Sequence, residues 1–552
     1  MTFNLRTYSF IIISLLFSIS ASASDTGLEE RTRAWMEENP HSLPHWLTPE
    51  ELTRLDEIGK NFYPTDPPVG PVRNIAEFEP MEGVLIRYYF GISTSIIAEM
   101  AEDVIVTTIV SGQSQENTVR SIYTSNGVNI DNCNFLHAST NSYWTRDYGP
   151  WYVVDGSNQV GIVNFPYNRP RPDDNDIPIE MAAFLGIPLY GMDLEHTGGN
   201  YMTDGMGISA STTLVWSENW NMTHGEIDDM VEDYLGVTTY HVVPDPNNTY
   251  IDHIDCWGKF LDVDKILIRE VPSSHAQYTE IEETVDYFEA QTSSYGTPYE
   301  IYRVYTPSNQ PYTNSLILND KVLVPITGSS WDDDAIASYE AAMPGYEILG
   351  FTGSWESTDA LHCRTKGVAD RGMLYIGHLP IHGSQPAGAN YLIQAEIVPY
   401  SGEDVIEDSM YVAYRIDGGM YQHITMTNIN GYTWSCSIPG QEGGVEIEYY
   451  IHAADESDRE ATHPFIGAPD PHIFSVEGIN PPQISILRED GTITLTWSPV
   501  PGADFYTVYS SNNPYADFTE DMSGTFSGTS WSAPATDEYR YYRVTTNDAA
   551  VQ

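Results

Sequence analysis

The chain has 552 residues, 41% apolar and 18% charged, which is enough to bury sizeable cores and too few charges for a disordered polyampholyte. A length like this excludes a single core and predicts about three or four domains. Only 24 basic residues stand against 78 acidic ones, and the formal charge of −54 excludes binding to nucleic-acid phosphates or anionic membranes through Lys and Arg.

Residues 1–23 read as a signal peptide, with Arg6 as the basic start, an apolar run from Tyr8 to Ile19 and the small-residue cleavage site Ala21-Ser22-Ala23. The run is shorter than the ~20 residues a membrane span needs, so export of a soluble mature chain is expected. Residues 24–70 form a polar leader. Within it Thr48-Pro49-Glu50-Glu51 has the form of a capping box and predicts a helix with Leu52, Leu55 and Ile58 on one face. Thr65 to Pro71 reads as a linker.

From 71 to 387 short apolar strands alternate with amphipathic helices. The strands are Val84-Leu85-Ile86, Val160 to Val163, Thr213-Leu214-Val215, Ile266-Leu267-Ile268, Val322-Leu323-Val324 and Met373 to Ile376. Such continuous runs suit strands covered on both faces. Ile227, Met230, Val231, Tyr234 and Leu235 share a helical face closed by Gly236, and Ile281, Val285 and Phe288 make a second stripe. Repetition of this kind predicts one α/β domain with internal pseudo-repeats, a barrel or a propeller. From 388 to 478 the pattern turns all-β. Val445 to Ile451 alternates, and Asp417-Gly418-Gly419 marks a hairpin turn, as in an immunoglobulin-like sandwich. After the linker Asn480-Pro481-Pro482, residues 483–548 are again β. There Ile493, Leu495 and Trp497 alternate, the Pro501-Gly502 turn follows, and Tyr541 and Tyr542 come late, a pattern similar to a fibronectin type III module.

Five segments of the α/β region could carry chemistry. Tyr143-Trp144-Thr145-Arg146-Asp147-Tyr148-Gly149-Pro150 sets Asp147 beside a turn, where it either caps local amides or faces a ligand. In Asn168-Arg169-Pro170-Arg171-Pro172 the prolines favour an extended backbone. Arg169 and Arg171 would then point the same way, either into solvent or onto one carboxylate. Gly198-Gly199-Asn200 permits a close backbone approach or a simple turn. In Tyr250-Ile251-Asp252-His253-Ile254-Asp255-Cys256 the His-x-Asp pair suits acid–base work, a metal, or a buried hydrogen-bonded histidine, with Cys256 on the opposite, buried face. Thr358 to Arg364 holds Cys363 among polar and basic neighbours, as a nucleophile or a structural thiol. The four cysteines form no CxxC pair, H-E-x-x-H is absent, and no EF-hand spacing occurs.

Together these motifs resemble the guanidino-modifying pentein superfamily, and within it bacterial peptidylarginine deiminases of the Porphyromonas type. The resemblance runs from about residue 68 to 478 and includes Gln310-Pro311-Tyr312-Thr313-Asn314. It implies a five-fold pseudo-symmetric α/β-propeller followed by an immunoglobulin-like domain; the fibronectin type III-like module is an addition beyond the matching part, which makes two all-β sandwich domains after the propeller. Cys363 is then the nucleophile and His253 the general acid and base. Asp147 and Asp255 clamp the guanidinium, and Asn314 orders the site. Arg169 and Arg171 bind a terminal carboxylate of the substrate, and Trp144, Tyr250 and Thr358 line the pocket. No metal or organic cofactor is implied. The expected partner is a peptide or protein bearing arginine, chiefly at its C-terminus. The alternatives are an agmatine deiminase, whose Trp144–Pro150 loop looks the same, and an adhesin with an inactive enzyme domain.

Overall fold

Strands Val160–Asn164 and Leu316–Leu318 are buried along their whole length, as expected for apolar runs covered on both faces. The computed structural model describes residues 27–478, 482–500, 503, 505–535 and 540–546. The signal peptide 1–23, the linker residues Asn480-Pro481 and the Pro501-Gly502 turn lie outside the described residues. The chain divides into two units, Met1–Leu374 with Val398–Asp404, and Tyr375–Ile397 with Val405–Gln552.

In the first unit one module occurs five times among the described residues. Two antiparallel strands are followed by a helical crossover and a strand parallel to the second. The modules are built on the hairpins Trp151–Val154 with Val160–Asn164, Met202–Thr203 with Ile208–Thr212, Gly258–Phe260 with Lys265–Glu270, and Leu316–Leu318 with Lys321–Ile326. Their parallel partners are Leu189–Gly191, Thr239–Val243, Glu300–Tyr305 and Glu347–Thr352. The fifth module joins the two ends of this stretch of chain, because Lys366–Ala369 pairs antiparallel with Met81–Arg87, which carries Ile105–Val110 in parallel. The crossovers include helices His224–Leu235 and Tyr278–Glu289. Both bury the predicted stripes, and Gly236 closes the first in the left-handed conformation at φ 68°.

Three local expectations fail. Leu214–Glu218 is helical. The strand ends at Thr212, whose N–H goes to Asn200 Oδ1 at 2.9 Å, and a three-residue apolar run cannot by itself tell strand from helix. Leu374–His378 joins a sheet with Tyr391–Pro399 and so opens the β region rather than closing the α/β one. Residues 49–58 form no α-helix. The Thr48–Glu51 capping pair exists, with reciprocal bonds of 2.8 and 3.2 Å, but only two 3-10 turns follow, and Leu52 and Leu55 are exposed. The leader's α-helix is at 27–38 instead.

The second unit is all β in its extended elements. Glu446–Ala454 is a central strand between Tyr411–Ile416 and His472–Val476, and points Ile447, Tyr449, Ile451 and Ala453 inward. Further along, Ile493, Leu495, Trp497, Val508, Trp531 and Val544 form a separate core. Among the described residues no helix is long and apolar enough to cross a membrane.

Candidate active site

Each module of the first unit begins its hairpin directly after a tight turn. These turns are Thr145–Tyr148, Gly198–Asn200, Ile254–Cys256, the turn closed by Asn314 N–H on Pro311 O at 2.9 Å, and His362–Arg364. Asp147, Gly199, Asp255, Asn314 and Cys363 thus occupy equivalent places in five repeats, and the chain gathers them.

Asn314 and Cys363 bond reciprocally: Asn314 Nδ2 donates to Cys363 Sγ at 3.3 Å, and Cys363 N–H donates to Asn314 Oδ1 at 3.3 Å. Cys363 Sγ lies 3.6 Å from Asp255 Oδ2. Asp147 Oδ1 faces His253 Nδ1 at 3.7 Å. A Cβ on Gly199 would come within 2.6 Å of His253 Nδ1 and 2.7 Å of Asp147 Oδ1, so glycine lets the two catalytic candidates meet there. All five of Cys363, Asp255, Asn314, His253 and Asp147 are buried. Thr358 and Tyr250 share a hydrogen bond at 3.2 Å, and Tyr250 is half exposed. Trp144 is buried.

The arginine pair departs from expectation. Arg169 N–H bonds Tyr167 O and Arg171 N–H bonds Arg169 O, both at 2.8 Å, so the backbone folds through successive three-residue turns and is not extended. The two guanidinium groups part company. Arg171 Nε donates to Glu51 Oε1 at 2.6 Å, whereas Arg169 donates to Asn168 O, and its Nε has no partner among the described residues.

A profile of the Porphyromonas-type peptidyl-arginine deiminases matches residues 91–368, half of the chain and all the candidate residues of this site. The chain belongs to this family. It is therefore a guanidino-group deiminase of the pentein superfamily, a hydrolase of amidine C–N bonds. It is 22% identical over 295 residues to an agmatine deiminase of Medicago truncatula, covering 43% of this chain and 78% of that one. The agmatine deiminase structure of Enterococcus faecalis is 18% identical, with a TM-score of 0.48, and covers 56% of this chain and 100% of that one. A C. jejuni agmatine deiminase structure is 17% identical, with a TM-score of 0.46, and covers 54% and 96%.

The deiminase site contains groups that sequence reasoning passed over. His362 bridges Asp255 Oδ2 and Glu77 Oε2, both at 2.7 Å, and Glu77 also holds Arg146 at 2.8 Å and Lys259 at 2.9 Å. His362 adjoins Cys363 in the sequence, which was the available signal. Glu77 carried none. From the leader, His45 Nε2 donates to Asp147 Oδ2 at 3.1 Å. His45, Asp147 and His253 offer three atoms within 4.8 Å of one another and form a group that could hold a metal ion.

Burial dominates the electrostatics and would raise every acid here. At Asp255 the hydrogen bond and charge of His362 reverse it and bring the carboxyl down to about 2. At Asp147 the facing His253 and the His45 bond hold the carboxyl below its usual range. Burial lowers His253 to about 4 against the pull of both carboxylates, so it is neutral near pH 7. Burial and the adjacent Asp255 push the Cys363 thiol well up. The resting site is thus a neutral thiol and a neutral imidazole between two carboxylates, a place that lacks one cation.

Proposed function

We propose that this deiminase is exported and converts arginine of peptides, chiefly C-terminal arginine, to citrulline through a covalent Cys363 intermediate. One observation carries the reading: two buried carboxylates share the site with a thiol, Asp255 at 3.6 Å from Cys363 Sγ and Asp147 at 3.7 Å from His253. Buried like charges need a cation to offset them. A planar guanidinium can donate to both while presenting its central carbon to Cys363 Sγ.

The chemistry follows from the charges. A bound guanidinium offsets the carboxylates that raise the Cys363 pKa, so the thiol can pass its proton to the neutral His253. The thiolate attacks the guanidinium carbon and forms a C–S bond. His253 delivers a proton to the departing nitrogen, the C–N bond breaks and ammonia leaves. His253 then takes a proton from water, whose oxygen adds to the carbon. The C–S bond breaks, and citrulline leaves with Cys363 restored. Asn314, bonded to both N–H and Sγ of residue 363, positions the nucleophile. Every step uses side chains.

Substrate length is read at Arg171. Its guanidinium sits buried on a carboxylate, that of Glu51, and the α-carboxylate of a C-terminal arginine has the same chemistry. Agmatine has no carboxylate to offer there. The five modules, with the first and last strands paired, support a five-fold α/β-propeller. The second unit's sheets support an immunoglobulin-like and a fibronectin-like domain. Residues 1–23 support export.

Conversion of the guanidinium to a ureido group, with release of ammonia, is measured on four substrates to test the reading: a peptide ending in arginine, the same peptide with arginine internal, free arginine, and agmatine. Turnover mainly of the first is expected. Turnover of agmatine alone would replace the substrate while keeping the chemistry. No turnover of any, with the leader released as described below, would remove the catalytic reading.

A further inference from the structure

The leader lies in the site, and its chemistry there is specific. His45 donates to Asp147 at 3.1 Å, and its ring packs on Trp144 with centroids 4.5 Å apart. Six residues on, Glu51 places its carboxylate on Arg171 at 2.6 Å. Just before His45, Pro44 O accepts from Arg171 Nη2 at 2.6 Å. Trp46 packs edge-on to Tyr250, and Arg31 stacks over Trp46 at 3.6 Å. Asp147, Arg171, Trp144 and Tyr250 are the side chains a peptidyl arginine would use on the reading above.

We propose that residues 27–57 are an intramolecular plug that keeps this deiminase inactive until the leader is cut or displaced. This rests on the deiminase reading only in identifying the covered pocket as the substrate site. His45 stands in for the substrate's guanidinium on Asp147 and Glu51 for its carboxylate on Arg171. Imidazole has no exocyclic amine to lose, so the plug is not turned over. In the resting site Cys363 has no exposed surface, and His253, Asp147 and Arg171 have about 1% each.

The plug is also built to leave. From residue 48 onward it has only 3-10 turns, and its Leu52 and Leu55 stay exposed, so no large apolar face binds that stretch down. An exposed stretch follows it, with Lys60 and Asn61 exposed and Tyr63 82% exposed. Hydrolysis of one peptide bond there, with water adding across it, turns the plug into a separate peptide. The plug can then dissociate on dilution, because the tether no longer holds it at high effective concentration.

The test places a site-specific protease sequence in the Lys60–Tyr63 stretch of the full chain and compares the folded protein before and after cutting. Two readouts are taken. One is citrulline formation from a peptide ending in arginine. The other is the rate at which iodoacetamide labels Cys363, mapped by mass spectrometry. Both should rise at least about tenfold, the loss of one charge-assisted hydrogen bond. In the uncut chain His45→Ala and Glu51→Gln should each raise both in part. Synthetic peptide 27–57 added to the cut, diluted protein should restore inhibition in competition with substrate. Equal labelling and equal turnover before and after cutting would overturn the plug and leave the deiminase reading intact. A rise in labelling with no ureido product from the peptide ending in arginine, free arginine or agmatine would overturn the deiminase reading and leave the plug.

Discussion

In the α/β unit the interior holds charge. Asp147, Asp255, Arg146, Arg171 and Lys259 are all buried, and Glu77 ties Arg146, Lys259 and His362 together. In the C-terminal β unit the inward positions of the central strand are Ile447, Tyr449, Ile451 and Ala453, and the last core gathers two tryptophans among aliphatic residues. Buried charge costs several kcal/mol per ion unless it is paired, and a fold retains it where it is used. The two units therefore differ in what a substitution should damage.

The largest effect is expected at Cys363. Cys363→Ala should reduce citrulline formation by at least about 10⁴-fold, as removal of a nucleophile does. The far-ultraviolet circular dichroism should stay unchanged, measured on the cut protein, and activity above that level would break the contrast. In the other unit Trp531→Ala should remove about 3–5 kcal/mol from the stability of the last core, read as a lower melting transition, while kcat/KM stays at the parent value. A fall in activity would show that the β unit serves the chemistry.

A smaller loss is expected at Gly199. An added Cβ there meets His253 and Asp147 below 3 Å, and displacing a reacting group by about 1 Å costs on the order of 10²-fold. Gly199→Ala should lower kcat more than stability, measured by steady-state rates beside thermal melting.

The smallest effect is in the acid response. Burial lowers His378 to about 4 and His463 to about 3 in the β unit, as it lowers His196 and His253 to about 4 in the α/β unit. Unfolded histidine binds its proton near 6.5, so the unfolded state binds more protons below that pH. These groups therefore stabilise above pH 6.5 and lose that contribution as pH falls toward 4. The α/β unit also holds acids raised by burial: Asp174 and Asp204 to about 6, Glu195 to about 7 and Glu218 to about 8. These bind protons more tightly when folded, so they add stability as pH falls through the same window. Melting at pH 7 and pH 5 should lower the transition of the β sheets that hold His378 and His463, a different one from that assigned by Trp531→Ala, more than that of the α/β unit. Equal shifts would mean that the buried acids do not titrate as their burial dictates.

Much of this was legible in one dimension. Helices His224–Leu235 and Tyr278–Glu289 follow from apolar spacing at 3.6 residues, and Gly236 closes the first because only glycine takes φ 68° without cost. The strands of the β unit follow from alternation. The candidate site residues were also named from local motifs, because a thiol, an imidazole and carboxylates beside Gly and Pro turns stand out in a chain poor in bases. Where apolar runs are three or four residues long, as at Thr213–Val215 and Met373–Ile376, the same letters serve helix, strand or either unit. There, pairing partners decided.

What the sequence determined by itself was the kind of chemistry and the alternation of elements, since both are written in residues close to one another. The tertiary structure decided which distant groups meet. Glu77 reaches Arg146, Lys259 and His362, His45 reaches Asp147, and Glu51 reaches Arg171 across 120 positions. The capping box marks Glu51 only as a partner for Thr48, two bonds within the leader itself. The role of Glu51 comes from the buried guanidinium that must be paired, and that pairing exists only once the chain has folded.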